Sequence, residues 1–293
     1  RKEHDLHFIR ASVPETKSYI VKMELPRVAD AEVRDAVEIH LEEYVPIPSR
    51  ESVFDYKVLG FSGRDCSRMN LEVSVVHERT IQGYLEIFGG TGLTVASFEN
   101  EAQAVARAVV SKNDPSTCMI VDFGAFRTGI YIVANGSIDF TTSIEMSGNM
   151  LSNMLRGKFL LSPEEIEEMK RTFDCNVFLL NEEQEAAGAL MSFVSAFRDE
   201  ISKHFVFWQT HRDEKNDVDK IQKIILTGSE SILTGLAQYL SGSLDISVEL
   251  ANVWQNVFDF NEYIPEIGKR DSFQYSAAIG LALPSVSKDK EPR

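Results

Sequence analysis

Two short apolar runs constrain this chain more than anything else in it. Cys118-Met119-Ile120-Val121 enters Asp122-Phe123-Gly124, and Ile224-Ile225-Leu226 enters Thr227-Gly228-Ser229-Glu230. Each reads as a buried strand delivered into a turn of small residues. After the first, Thr128 to Val133 and Ser137 to Ser143 flank Asn135-Gly136, a dipeptide suited to the left-handed backbone of a two-residue hairpin. After the second, a helix is expected from about 232 to 241. Both units belong in an α/β domain, and the pair is more specific than either turn alone.

The stretch before Asn113-Asp114-Pro115-Ser116 has a different pattern. Strands are expected at 6 to 13, 18 to 25, 53 to 61 and 69 to 76, then a short one from Leu93 to Ser97. Asp30 can cap a helix reaching about Tyr44, where Pro46 and Pro48 forbid continuation. Further helices are expected at 78 to 90 and from Glu99 to Val110. Beyond the boundary, a helix is expected at about 146 to 156. Ser162-Pro163-Glu164-Glu165 opens the next: Ser162 caps, Pro163 takes the first helical position and Glu165 completes a capping box. A long helix spans about 182 to 210, a strand Val248 to Ala251, and a helix rich in small residues Tyr275 to Leu283. Phe205, Phe207 and Trp208 are expected in the core.

Charge narrows the function classes. Among 293 residues, Asp and Glu number 45 against 30 Lys and Arg, a formal net charge of -15. Phosphate backbones demand a basic face, so nucleic-acid binding is not expected. Three scattered cysteines form no disulfide framework, and six histidines show no metal-ligand spacing. No run is long and apolar enough to span a membrane, so no direct membrane insertion is expected.

The candidate chemistry lies in the two turns. A hairpin such as Asp122 to Thr128 can aim backbone N–H groups at a phosphate, while Asp122 orients Mg²⁺-bound water. Asp122 is therefore the candidate catalytic and metal residue, and Gly124, Arg127 and Thr128 are candidate phosphate contacts. Gly228 lets a flat ligand approach the backbone, and the following helix favours an anion. This makes Gly228, Ser229 and Glu230 candidate nucleotide contacts. Each turn taken singly also fits an ordinary hairpin or βα turn.

Together they look like the second half of an actin-like ATPase. The first half narrows the resemblance. Met23-Glu24-Leu25-Pro26, then Glu42-Glu43-Tyr44-Val45-Pro46-Ile47-Pro48, then Phe54-Asp55-Tyr56-Lys57-Val58-Leu59-Gly60 closely resemble the type IV pilus assembly protein PilM family. Ser97-Phe98-Glu99-Asn100-Glu101-Ala102, Leu161 to Arg171 and Tyr275 to Leu283 agree. The cell-division protein FtsA is a cousin. The resemblance implies an α/β, actin-like, two-lobed fold of ribonuclease H-like halves, with a small α+β subdomain inserted in the first lobe. On that basis 1–16 is a remnant of the first lobe, 17–97 the insert, 98–114 a helix and linker, 115–285 the second lobe and 286–293 a tail.

The resemblance further implies a cytoplasmic scaffold that binds ATP with Mg²⁺. It grips the cytoplasmic N-terminal peptide of PilN, an inner-membrane partner, in a groove beside the insert, and so lies peripheral to the inner membrane. Other pilus assembly proteins and a homo-oligomer are further expected partners. Glu167 and Lys170 occupy the family's adenine-contacting positions, although on their own they read as exposed helix charges. Phe126, Arg127, Ser229 and Glu230 stand where the family is small or glycine-rich, and its first phosphate hairpin would precede Arg1. A weak or lost ATP site is therefore expected, with a true actin-like, filament-forming ATPase as the alternative. The tail from Pro284 has no apolar face, unlike the membrane-targeting helix that alternative calls for.

Overall fold

The computed structural model describes residues 7–178, 185–211 and 220–284. The amino-terminal part runs β1 (Phe8–Val13), β2 (Ser18–Pro26), α1 (Val33–His40), β3 (Ser52–Ser62), β4 (Arg68–His77), α2 (Glu78–Gly89), β5 (Thr94–Asn100) and α3 (Glu101–Val109). Then come β6 (Cys118–Phe123), β7 (Thr128–Ala134), β8 (Ser137–Ile144), α4 (Gly148–Phe159), α5 (Pro163–Thr172) and α6 (Cys175–Phe178). The chain continues with α7 (Glu185–His211), β9 (Lys223–Thr227), α8 (Leu236–Leu244), β10 (Ser247–Leu250), α9 (Lys269–Ser272) and α10 (Ser276–Ala282).

The second lobe is a five-stranded sheet in the order β10-β9-β6-β7-β8. β7 runs antiparallel to β6 and β8, while β6, β9 and β10 are parallel. This is the order of a ribonuclease H-like half. Side chains on a strand alternate between faces, and here both faces are covered. Met119, Val121, Phe123, Ile130, Ile132, Ile224 and Leu226 meet the helices that follow β8 and β9. Cys118, Ile120, Tyr131, Val133 and Ile225 meet α3 and the carboxy-terminal segment. That double burial explains why these strands read as continuous apolar runs. Trp208 joins the first core, but Phe207 turns outward and is 48% exposed.

β2, β4 and β3 form a separate antiparallel sheet covered on one face by α1. Val45 and Ile47, from the proline-bounded segment after α1, are buried in this small core beside Leu41, Phe54 and Val73. The prolines end the helix and lay the two apolar side chains across the sheet. The expected helix from Asp30 is broken into a 3₁₀ turn, α1 and a second 3₁₀ turn.

β5 runs to Asn100 rather than stopping at Ser97, because Ser97 to Asn100 pair with Arg10 to Val13 of β1 in a parallel ladder. The Asn100 side chain then caps α3 by accepting from the Ala102 N–H at 2.8 Å. α8 starts at Leu236, after a 3₁₀ turn over Ser229–Ile232.

Two joints fasten these pieces. The first couples the small sheet to the β8 edge. The Glu72 carboxylate accepts from the Ser137 hydroxyl, from the Ile138 N–H at 2.9 Å and from the Gln103 amide at 2.9 Å. Lys22 reaches Asp139 at 3.1 Å alongside. The second joint is the crossing of α10 and α3. A Cβ on Gly280 would lie 1.7 Å from the Ala104 carbonyl oxygen, so only glycine permits this approach. Arg107 and Arg10 donate to the carbonyls of Gly280, Leu281 and Leu283, placing cations at the negative end of the helix.

Gly280→Ala should therefore cost about 1–3 kcal/mol by overpacking. Gly157→Ala, at an open position in α4, should be neutral or stabilise by about 0.5–1 kcal/mol. Urea unfolding of both variants beside the parent chain checks the contrast.

Candidate functional site

The two turns that the sequence singles out meet in space. Val121 and Asp122 of β6 pair with Leu226 and Thr227 of β9, so both strands deliver their ends to one place. Gly228 has φ +92°, and a Cβ there would lie 2.5 Å from both Asp122 Oδ1 and the Phe123 carbonyl oxygen. Glycine is thus required twice over, by backbone and by contact. The hairpin turn is held by the Gly124 N–H donating to the Arg127 carbonyl at 3.1 Å. Its own carbonyls are used in turn. Gly124 O and Ala125 O accept from the Gly148 and Asn149 N–H groups at the start of α4, at 3.1 and 2.8 Å.

A cavity of about 310 Å³ lies between these turns, α3 and the segment entering α10. Asp122, Gly124, Arg127, Gly228 and Ser229 line it, together with Glu101, Tyr131, Gln274 and Ser276. Thr128 is not among its walls. It is fully buried, and its hydroxyl donates to the Met146 carbonyl at 2.7 Å, fastening the hairpin to the segment before α4.

Arg127 enters from the hairpin and crosses to the amino-terminal part. Its Nη2 donates to Glu101 at the start of α3, and its Nε lies 3.2 Å from the Glu15 carboxylate, which follows β1. Asp122 stands close behind. Burial pushes its carboxyl up to about 7, the charges of Glu101 and Glu15 acting in the same direction and Arg127 against them. Burial also raises Glu101, although Arg127 opposes it. Three carboxylates therefore share one guanidinium in a poorly solvated space. The Tyr131 hydroxyl completes this group. It lies over Gly129, where a Cβ would come within 2.1 Å of the phenolic oxygen.

Glu167, Lys170 and Glu230 come together at a neighbouring place that does not line the cavity. Lys170 is 4% exposed, contrary to its reading as a surface charge, while Glu167 is solvated as that reading has it. The Lys170 ammonium lies 3.0 Å from Glu230 and 3.2 Å from Glu167. The Glu230 side chain fills the space beside Gly148, where a Cβ would lie 2.2 Å from its carboxylate. A ligand seated between α5 and the Gly228 turn would have to displace this pair. Among the described residues, no group of three or more metal-ligating side chains forms a metal site.

Sequence reasoning passes over Glu15, Tyr131 and Gln274. Their roles depend on contacts between distant segments and carry no local pattern. Glu101 has one sign in the sequence, its place directly after the capping Asn100.

A ribonuclease H-like half, with a hairpin turn and a glycine turn facing a cleft that α3 and the segment after β1 close, is the frame of an actin-like protein. The chain belongs to the family of the type IV pilus assembly protein PilM, whose model matches residues 5–286. A structure of a PilM-PilN type IV pilus biogenesis complex superposes with a TM-score of 0.73 at 20% identity, over 94% of this chain and 79% of that one. MreB 5 of Spiroplasma citri bound to AMPPNP gives a TM-score of 0.51 at 14% identity, over 70% of this chain and 63% of that one. Its ADP-bound form gives the same score over 70% and 64%. At these identities the likeness is one of fold.

The Asp122 environment has a consequence for stability. The carboxyl titrates near 3.8 when unfolded and near 7 when folded, so the folded state holds a proton that the unfolded state releases. Its contribution is present below pH 3.8 and is lost as pH rises through 7. Asp122→Asn should remove that loss, giving a higher Tm than the parent at pH 8 and a flatter Tm between pH 5 and 8. Differential scanning calorimetry across that range measures both.

Proposed function

We propose that this chain is a cytoplasmic, actin-like scaffold of type IV pilus assembly. It binds the cytoplasmic N-terminal peptide of a PilN-like inner-membrane protein and lies against the inner membrane through that partner. The observation that carries the reading is the likeness to the PilM-PilN complex structure along nearly the whole chain, together with family membership. Among the described residues no helix is long and apolar enough to cross a membrane, which agrees with attachment through a partner.

The small inserted sheet offers a place for such a peptide. β3 is an outer strand of that sheet, and Val53, Val58, Leu59 and Phe61 on it are exposed. A strand edge with unpaired backbone groups and apolar side chains accepts an extended peptide by adding a strand.

On the same reading the nucleotide site is weak or lost. The cation nearest the hairpin, Arg127, is already shared by Glu15 and Glu101. The carboxylate of the glycine turn, Glu230, already pairs with Lys170. A triphosphate entering the cavity would meet Asp122 and Glu101, with no uncommitted positive charge among the described residues that line it. The other reading, a nucleotide-dependent actin-like ATPase, draws on the cavity itself and on the fold shared with AMPPNP-bound MreB 5.

Titration of a labelled peptide from the amino terminus of the cognate inner-membrane pilus protein tests the scaffold reading. Saturable binding without nucleotide is expected, weakened about tenfold in a Val53→Ser/Leu59→Ser variant. Absence of binding by every inner-membrane pilus protein of that system would sink it.

A further inference from the structure

The segment from Asn252 to Gly268 has no helix or strand, yet it is firmly held. The Asn256 amide donates to the carbonyls of Arg107 and Val110 at the end of α3, at 2.9 and 2.6 Å, and its oxygen accepts from the Lys112 N–H at 3.3 Å. Val253 is buried in the core beneath. On this base stands an aromatic stack. Trp254 and Phe258 are stacked with centroids 5.5 Å apart, and Phe260 and Tyr263 meet Phe258 edge-on at 5.8 and 4.9 Å. Asp259 fixes the turn between them by accepting from the Asn261 N–H and side-chain amide at 2.8 and 2.9 Å.

This ordered platform shows apolar surface to water. Val257, Phe260, Tyr263, Ile264 and Ile267 are all exposed, Ile264 to 82%. A loop with no core to cover does not need five such residues, and a clustered exposed patch marks a place where something binds. Its charges state what kind of partner fits. Asp259, Glu262 and Glu266 are exposed within the same segment, and the first cations after it are Lys269 and Arg270, at the start of α9. Glu262 and Glu266 flank the exposed Tyr263 and Ile264 in the chain. Aromatic faces beside exposed carboxylates suit cationic side chains, by cation–π contact and by charge. The same carboxylates, on a chain of net charge -15, oppose an anionic lipid surface and a second copy of this chain.

We infer that the Trp254–Ile267 platform is a second docking surface, for a segment of a partner protein that carries both basic and apolar side chains. It follows β10, at the edge of the five-stranded sheet opposite β8, where the inserted sheet is attached. One molecule can therefore hold one partner at the insert and another at the platform. This is the arrangement a scaffold needs.

The probe is a fluorescein-labelled synthetic peptide of alternating Lys and Leu, with a Glu–Leu peptide as control, read by anisotropy on the whole chain. The Lys–Leu peptide should bind saturably, more weakly at 300 mM than at 50 mM NaCl, and the Glu–Leu peptide should not bind. Tyr263→Ser/Ile264→Ser and Glu262→Lys/Glu266→Lys should each weaken binding by about tenfold. All four residues are exposed, so circular dichroism and Tm should match the parent. Reversal of Glu164 and Glu168, on the solvated face of α5, should leave the affinity unchanged. An equal loss from that remote reversal would overturn the inference, since binding would then follow net charge alone. So would unchanged binding by the Tyr263→Ser/Ile264→Ser variant, or a dimer in sedimentation equilibrium that this variant disperses.

Discussion

The cleft of this protein is governed by one shortage of positive charge. Asp122, Glu101 and Glu15 are brought together by three different segments, and Arg127 is the guanidinium they share. Buried carboxylates without a counter-charge are costly, so Arg127 cannot leave them cheaply. The same side chain also links the hairpin of the second lobe to the segment after β1 and the start of α3. Charge compensation and one of the contacts between lobes are thus a single interaction. A phosphate seeking Arg127 would have to compete with both.

The neighbouring turn follows the same logic. Glu230 stands where a flat ligand would approach, but it is neutralised by a buried lysine and packed on Gly148. Arg127 and Glu230, two residues that depart from the family pattern, are each paired within the protein, the one with Glu15 and Glu101 and the other with Lys170. Clustered apolar surface is exposed elsewhere, on the outer strand of the inserted sheet and on the aromatic platform beyond β10. The two joints, at Glu72 and at Gly280, hold these surfaces on one frame.

Local chemistry made much of this legible. The capping box forms as written, with the Glu165 N–H donating to Ser162 Oγ at 3.2 Å and the Ser162 N–H to Glu165 at 2.7 Å. Asn135 and Gly136 both take positive φ in the hairpin that their pairing predicts. The two strand–turn units place Asp122, Gly124, Gly228 and Ser229 around one cavity. What was not legible depended on distant partners. β5 is extended to Asn100 by its ladder with β1, nearly ninety residues away. Lys170 looked like a surface charge because nothing near it in sequence says that Glu230 will meet it. Thr128 looked available for a ligand, but the Met146 carbonyl claims its hydroxyl.

Arg127, held by Glu15 and Glu101, is withheld from a phosphate. Calorimetric titration of Mg-ATP into the parent chain and into a Glu15→Gln/Glu101→Gln variant tests it most directly. No saturable heat is expected in the parent up to about 1 mM nucleotide, and an affinity higher by about tenfold or more once the two carboxylates are neutral. Micromolar binding by the parent, or identical titrations of the two proteins, would contradict it.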